Sequence, residues 1–271
     1  MNKSHLRIVS WNINSVRLRM PNVEAFIATE APDIICLQEI KCLDAEFPEK
    51  AFRQLGFNHL VIKGQRGGHH GVAIASRYPL ELLETPPLCR EDHARVNAVR
   101  VEGLELHNIY LPAGGDIPDP DENEKFAHKL DFIDRLGAHY SGFADDTAPR
   151  MLVGDLNVAP HEHDVWSHKQ LLKIVSHTPV ETEGLETART KAGFIDLARQ
   201  VHSDDQKLYT WWSYRARDWA ASNKGRRLDH IWTNDTATGL ADLSSFKIHL
   251  AWRGGWKPSD HAPISVDIAR P

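Results

Sequence analysis

The side chains best suited to chemistry stand where apolar runs stop. In Met151-Leu152-Val153-Gly154-Asp155-Leu156-Asn157-Val158-Ala159-Pro160 the apolar run enters Gly154, and Pro160 ends any ladder. This pattern predicts a short buried strand opening into a loop, with Asp155 and Asn157 on one side by strand alternation. A carboxylate beside an amide is costly at the end of a buried strand unless both are engaged. The same ending recurs at Asn12 and Asn14, at Gln38, Glu39 and Lys41, at Tyr110, at Asp229, and at Asp260-His261. Two packed sheets can bring many strand ends to one rim, so these groups can share a cleft. The set offers hard oxygen donors, a general base, a phenol and a histidine, with no serine or cysteine elbow. Oxygen donors without thiolates favour magnesium or manganese over zinc, and a hard cation with a base suits phosphodiester hydrolysis by activated water.

The elements that must position these groups follow from periodicity and punctuation. Strands are expected over residues 6–13, 33–37, 72–76, 95–101, 104–110, 227–232, 246–250 and 264–268, and an aromatic strand or turn over 209–214. Pro21 opens a helix expected over 22–29, and a stripe of Phe126, Leu130, Ile133 and Leu136 predicts a helix over 122–140. Another helix is expected over 179–192. Strands come both in hairpin succession and separated by helices, which favours a mixed α/β sandwich over a doubly wound sheet. No GxGxxG or Walker-type loop occurs, and no repeat or linker divides the chain, so one domain spanning 1–271 is expected.

With 41% hydrophobic and 25% charged residues the chain can bury a sizeable core. No apolar run reaches the roughly 18 residues of a membrane span. The first residues lack a signal-peptide pattern. Cys36, Cys42 and Cys89 are odd in number and form no CxxC pair, so a reducing cytoplasm is expected, with Cys36 a core filler. A net charge of −5 does not advertise nucleic acid. Locally, however, Arg215, Arg217, Lys224, Arg226 and Arg227 interleave with Trp211, Trp212, Tyr214 and Trp219, a mixture that meets phosphates and bases. Trp212 and Trp219 are nonetheless assigned to core packing. His161, His163 and His168 have neither a Cys partner nor HExxH spacing, which argues against zinc there.

The blocks SWNINSVR, LQEIK, HHGVAI, YLPAGG, GDLNVAP, YTWWSYR, RRLDHIW and SDHAP, in this order, resemble the exonuclease III family of apurinic/apyrimidinic (AP) endonucleases. The resemblance implies a four-layer αββα sandwich, with two mixed sheets face to face and helices outside. It implies magnesium-dependent cleavage 5′ to abasic sites in double-stranded DNA, with 3′–5′ exonuclease and 3′-phosphatase or phosphodiesterase activity, by a monomer. Matched motif by motif, it implies Glu39 as the principal metal ligand with Asn14 nearby, and a wider metal set including Asp155, Asn157 and Asp260. Asp155, with Asn157, would orient or deprotonate the attacking water. His261, held by Asp260, would contact the scissile phosphate, while Tyr110 and Asn12 align phosphate and base. Trp211 and Leu228 would line the pocket for an extruded abasic sugar, which flips at little cost because its base is missing. Asp229 and Arg226 would also face substrate, with the choice of Asp229 or Asp260 as metal neighbour left open. His168 would border the minor groove and bias the enzyme toward 3′ ends. His69 and His70 stand between a DNA contact and a plain polar loop, and Ala113 replaces an amide the family often carries. A headgroup phosphodiesterase shares the core residues but needs basic headgroup loops or an apolar membrane hairpin. A DNA-binding pseudoenzyme would have replaced Glu39, Asp155 or His261.

Overall fold

The computed structural model describes residues 4–67 and 70–270, so the expectation for His69 lies outside the described residues. In chain order the elements are β1 (His5–Asn12), α1 (Met20–Glu30), β2 (Ile34–Gln38), α2 (Glu49–Gln54), β3 (His59–Lys63), β4 (Val72–Ser76), β5 (Glu81–Leu82), β6 (Val96–Val101) and β7 (Leu104–Tyr110). They continue with α3 (Glu124–Ser141), β8 (Arg150–Asp155), α4 (His168–Leu171), α5 (Pro179–Lys191), β9 (Ile195–Asp196), α6 (Leu197–Val201), β10 (Trp211–Trp212), α7 (Trp219–Ser222) and β11 (Gly225–Arg226). The last are β12 (Asp229–Thr233), α8 (Asp235–Leu240), β13 (Ala241–Ile248) and β14 (Ile264–Ala269).

One sheet has the order β13-β14-β1-β2-β4-β3 and the other β5-β6-β7-β8-β12-β9. Each carries one parallel pair near its middle, β1 with β2 and β7 with β8, and is otherwise antiparallel. Side-chain alternation divides the core. Ile8, Ile34, Cys36 and Ile74 of the first sheet meet Val99, Leu106, Met151, Val153 and Ile231 of the second. The opposite faces of the same strands, Val9, Trp11 and Leu37, pack under Val23 and Phe26 of α1. On the far side Ile109, Leu152 and Trp232 receive Phe132, Ile133 and Leu136 of α3 and Leu185 of α5. The result is helix, sheet, sheet, helix, the expected αββα sandwich. Strands covered on both faces must be apolar at consecutive positions, which is why residues 34–37 read as an unbroken run. Each such buried side chain contributes about 1.5–3 kcal/mol.

The buried space between the sheets contains a polar crosslink. Gln38 Nε2 of β2 donates to Asn108 Oδ1 of β7 at 2.7 Å, and Asn108 Nδ2 donates to the carbonyls of Leu37 and Ala73 at 3.0 and 3.1 Å. Gln38, expected at the exit of its strand, is thus fully buried between the sheets.

Helix ends follow local chemistry. Pro21 sits in the first turn of α1, Asn123 caps α3 by accepting from Lys125 N, and Thr178 with Glu181 forms a capping box on α5. Leu130, expected on the buried stripe of α3, is only partly covered, and Lys129 is fully buried instead. Residues 209–214 yield only the two-residue β10, which pairs with β11 as a separate ribbon. The strand expected from residue 227 begins at Asp229, because Arg227 turns into a buried ion pair.

Candidate active site

Register assembles the site. Tyr110 pairs with Asp155 across parallel β7 and β8, and Asp229 pairs with Asp155 across antiparallel β8 and β12. Gly154, at φ +146°, makes this possible: a Cβ there would lie 1.8 Å from the Ile109 carbonyl oxygen. From the first sheet come Asn12 at the end of β1, Glu39 just after β2, and His261 just before β14. A one-residue bridge ties Trp211 to His261.

These groups form one hydrogen-bonded set. Asn12 Nδ2 donates to Asp155 Oδ2 at 2.8 Å and to Glu39 Oε1 at 3.2 Å. The Tyr110 hydroxyl donates to Glu39 Oε1 at 2.7 Å. Asp155 Oδ1 accepts from Asn157 N at 2.9 Å, and Asp155 Oδ2 from Asn157 Nδ2 at 3.2 Å. His261 Nε2 lies 3.7 Å from Asp155 Oδ2, while His261 Nδ1 bonds Asp229 Oδ2 at 2.8 Å. Asp229, and not Asp260 as expected, therefore holds His261. Asp260 instead accepts from Asn14 Nδ2 at 2.8 Å and from Trp211 Nε1 at 2.9 Å. The reason is register: β12 carries Asp229 under the imidazole, whereas the backbone of Asp260 is drawn toward Trp212 N.

Burial sharpens the electrostatics. Burial and the Asp229 and Glu39 carboxylates raise the Asp155 carboxyl above the usual range, while His261 and Asn12 pull it back. Burial opposes the imidazolium of His261, yet Asp229 and Asp155 outweigh it and raise that group to about 10. Burial, with Glu39 and Asp155 nearby, raises the Tyr110 phenol well above its ordinary value, so it stays a donor. The Asp155–His261 pair is buried beside Glu39 and Tyr110, which with Lys41, Arg95 and Asp260 wall a cleft of about 550 Å³.

Strand alternation does not explain the paired amides. Asn14 and Asn157 lie beyond their strands with φ of 47° and 51°, and Glu39 and Lys41 share this left-handed backbone. Asparagine tolerates that region; glutamate and lysine do so at a cost of order 1 kcal/mol. Asn157 turns its amide nitrogen to Asp155 and to the Leu111 carbonyl, so in this arrangement it positions the base.

The donor set fits a hard cation. Glu39 Oε2 and Asn14 Oδ1 both meet the Lys41 ammonium, so these oxygens already surround a positive charge. With Asp260 they form an oxygen-only set without thiol, the chemistry of magnesium-type ions. Ligand atoms of Asp155, Asp229 and His261 also lie within 4.8 Å of one another.

The basic and aromatic segment divides. Arg215, Arg217 and Lys224 are exposed. Arg227 is fully buried on Asp164 and Asp196 and touches no solvent, contrary to the expectation of a phosphate-facing cluster. Arg226 donates to the Val175 carbonyl and to Ser176 Oγ, with its guanidinium 5.3 Å from the Trp211 ring centre. Leu228, Trp211 and Trp166 share one apolar cluster, and Trp212 is buried as expected. His168 Nδ1 meets His177 Nε2 at 2.8 Å, so its ring goes to His177 rather than to His161 or His163. Leu171 of the same short helix packs in the cluster of Leu228.

Sequence reasoning missed three positioning groups. Lys41 follows Glu39 by two residues but was given no role. Arg95 donates to the Tyr110 carbonyl and covers its ring. Lys129 pairs with Glu181 and donates to the Asn157 and Ala113 carbonyls, tethering both loops of the site. A lysine between Phe126 and Phe132 on an apolar stripe was the available signal for it.

The chain is similar to known proteins along most of its length. Residues 9–261 match the Endonuclease/Exonuclease/phosphatase family. The chain is 30% identical to exodeoxyribonuclease III of Haemophilus influenzae over 97% of this chain and 100% of that protein. It is 31% identical to the DNA repair nuclease APEX1 of Danio rerio over 98% of this chain and 83% of that protein. An AP endonuclease structure from Archaeoglobus fulgidus superposes with a TM-score of 0.88 at 29% identity, covering 97% of this chain and 99% of that one. This chain belongs to the endonuclease/exonuclease/phosphatase family, in its exonuclease III and AP endonuclease branch.

Proposed function

We propose that this protein is a metal-dependent DNA-repair phosphodiesterase that cuts 5′ to abasic sites and removes nucleotides from 3′ ends. The observation that carries the proposal is the opposition of Asp155 and an imidazolium. Asp155 Oδ2 and His261 Nε2 face each other at 3.7 Å while Asp229 occupies the other ring nitrogen. A base and a cation aimed into one small space suit attack of water on a phosphodiester.

In this mechanism Asp155, held by Asn157 and Asn12, takes a proton from the attacking water. A buried carboxyl with a raised pKa is suited to that transfer. His261 stays protonated, oriented by Asp229, and offsets charge that grows on the phosphoryl oxygens. Tyr110 and Asn12 fix Glu39 and align the phosphate. Glu39, Asn14 and Asp260 would hold the ion, magnesium by their oxygen chemistry, with manganese as a substitute. Asp155 and Asn157, also expected as ligands, are here bonded to each other. When bound, the ion supplies Lewis-acid polarisation of the phosphate. Trp211, Leu228 and Trp166 provide the apolar recess for the extruded sugar, with Arg226 against Trp211.

The relatives support DNA as substrate, as does a Neisseria 3′ phosphatase bound to a product DNA hairpin, which shares 29% identity at a TM-score of 0.87. The continuous family match over residues 9–261 supports one domain. We take the protein to act as a monomer in the cytoplasm; among the described residues no helix is long and apolar enough to cross a membrane.

The test is single-turnover cleavage by Asp155→Asn on two labelled duplexes, one with an internal abasic analogue and one with a recessed 3′ end. An amide keeps the shape but takes no proton, so both rates should fall by about 10²–10⁴-fold with DNA affinity retained. A rate within a few-fold of wild type on either duplex would remove Asp155 from the role of base.

A further inference from the structure

Three side chains that the reaction does not use converge beside the same cleft, whose wall includes His93 and His128. Cys89 Sγ lies 3.4 Å from His128 Nε2. The His93 and His128 rings meet edge to face with centroids 5.8 Å apart, and His70 stacks on His93 at 4.3 Å. One ligand atom from each of Cys89, His93 and His128 lies within 4.8 Å of the other two. Nδ1 of His93 is buried with no hydrogen-bond partner, a costly state for an imidazole nitrogen. Tetrahedral zinc about 2.3 Å from sulfur and about 2.0–2.1 Å from imidazole nitrogen sets its ligand atoms roughly 3.3–3.7 Å apart. Side-chain rotation of about 1 Å therefore converts this cluster into a coordination sphere.

We propose that Cys89, His93 and His128 form a second metal site, for zinc or a similar borderline transition ion, with its fourth position open to the cleft. A thiolate and two imidazoles select such ions over magnesium, so this site and the oxygen site around Glu39 do not compete for the same ion. The fourth position is assigned to the cleft because His93 and His128 line it. His128 is available as a neutral ligand: burial and then the Arg95 guanidinium hold it down, to about 4, with Glu91 opposing. The thiolate and Glu91 offset the repulsion that Arg95 exerts on an incoming cation. Bound metal would clip the segment before β6, which carries Cys89 and His93, to α3, which carries His128.

The experiment uses the whole protein, stripped with a chelator and then kept in excess magnesium to fill the oxygen site. Cobalt is titrated in as a spectroscopic substitute for zinc. The expected result is a near-ultraviolet sulfur-to-cobalt charge-transfer band that saturates at a single ion per chain and is displaced by zinc. Cys89→Ser should lose the band while keeping the wild-type circular dichroism and magnesium-dependent cleavage rate, and His93→Ala should lose it as well. Cys42→Ser should keep it. No band in the wild type, a band of full amplitude in Cys89→Ser, or a band that follows Cys42 would each overturn the site.

Discussion

The contact between Asp229 and His261 makes a sharp demand on pH dependence. Asp229→Asn preserves shape, the backbone bond from residue 229 N to Thr210 Oγ1, and one acceptor for His261 Nδ1, but it removes a unit charge 2.8 Å away. At that distance and an effective dielectric constant of about 20, unit charges attract by about 6 kcal/mol. The amide dipole retains part of this, leaving a loss of about 3–4 kcal/mol, or roughly 2–3 pKa units at 1.36 kcal/mol each. His261 is raised above its ordinary 6.5 to about 10, so its contribution to stability is fully present below 6.5 and fades as pH rises through about 10. In Asp229→Asn that fading ends roughly 2–3 units lower, so the variant is less stable than wild type at neutral pH and below, and the difference closes as pH rises to about 10. If imidazolium is the active form, the alkaline limb of single-turnover cleavage moves down by the same interval, so the rate near pH 9 falls by about 10–10²-fold while at neutral pH it falls by no more than about twofold. The assay is that rate profile for wild type, Asp229→Asn and Asp260→Asn, paired with urea unfolding at each pH. Asp260 does not touch His261 Nδ1 and raises it less than Asp229 does, so Asp260→Asn should move the limb by a smaller interval while raising the metal requirement. An alkaline limb unmoved in Asp229→Asn, or moved equally in Asp260→Asn, would refute the assignment of Asp229 as the partner that keeps His261 charged.

Glu39→Gln should raise the magnesium requirement sharply, with activity partly restored by high magnesium or manganese, because a hard anionic donor becomes neutral; an unchanged metal titration would place the ion elsewhere. Glu181→Ala should destabilise by about 3–5 kcal/mol in urea unfolding, since it strands the fully buried Lys129 ammonium and removes the cap of α5; a loss under about 1 kcal/mol would contradict the burial argument. For His168→Gly we expect kcat/KM to rise on an internal abasic duplex relative to a recessed 3′ end, about tenfold for each 1.4 kcal/mol of steric conflict relieved. Equal changes on both substrates at one salt concentration would show that His168 does not select between them.

The sandwich was legible because its strands are buried on both faces, and unbroken runs such as residues 34–37 and 151–153 declare themselves. The site residues were legible by their placement at run ends, and Glu39, Tyr110, Asp155, Asn157 and Asn12 do meet there. Pairing partners were not legible. Whether Asp229 or Asp260 supports His261 depends on the β8–β12 register, which a one-residue slip would invert and which no local signal specifies. The fate of the basic cluster was hidden for a related reason. Arg226 and Arg227 are adjacent, yet the second is consumed by Asp164 and Asp196, which lie 63 and 31 residues away in sequence. Left-handed backbone at Glu39 and Lys41 has no propensity signature at all, since neither residue favours it.

The Gln38–Asn108 crosslink has a consequence for assembly of the two halves of the site. One sheet delivers Asn12, Glu39 and His261 and the other delivers Tyr110, Asp155 and Asp229. Apolar packing between them is non-directional and tolerates a small lateral slip, which would cost little in buried area yet would unseat the Asn12–Asp155 bond. The amide pair does not tolerate slip, because moving either partner leaves a buried donor or acceptor stranded at about 1–3 kcal/mol. Gln38 and Asn108 therefore act as a dowel: they set one layer against the other at a single offset, one residue before Glu39 and two before Tyr110. Replacing both with leucine and isoleucine would preserve a folded sandwich while letting the two rims of the cleft drift out of alignment.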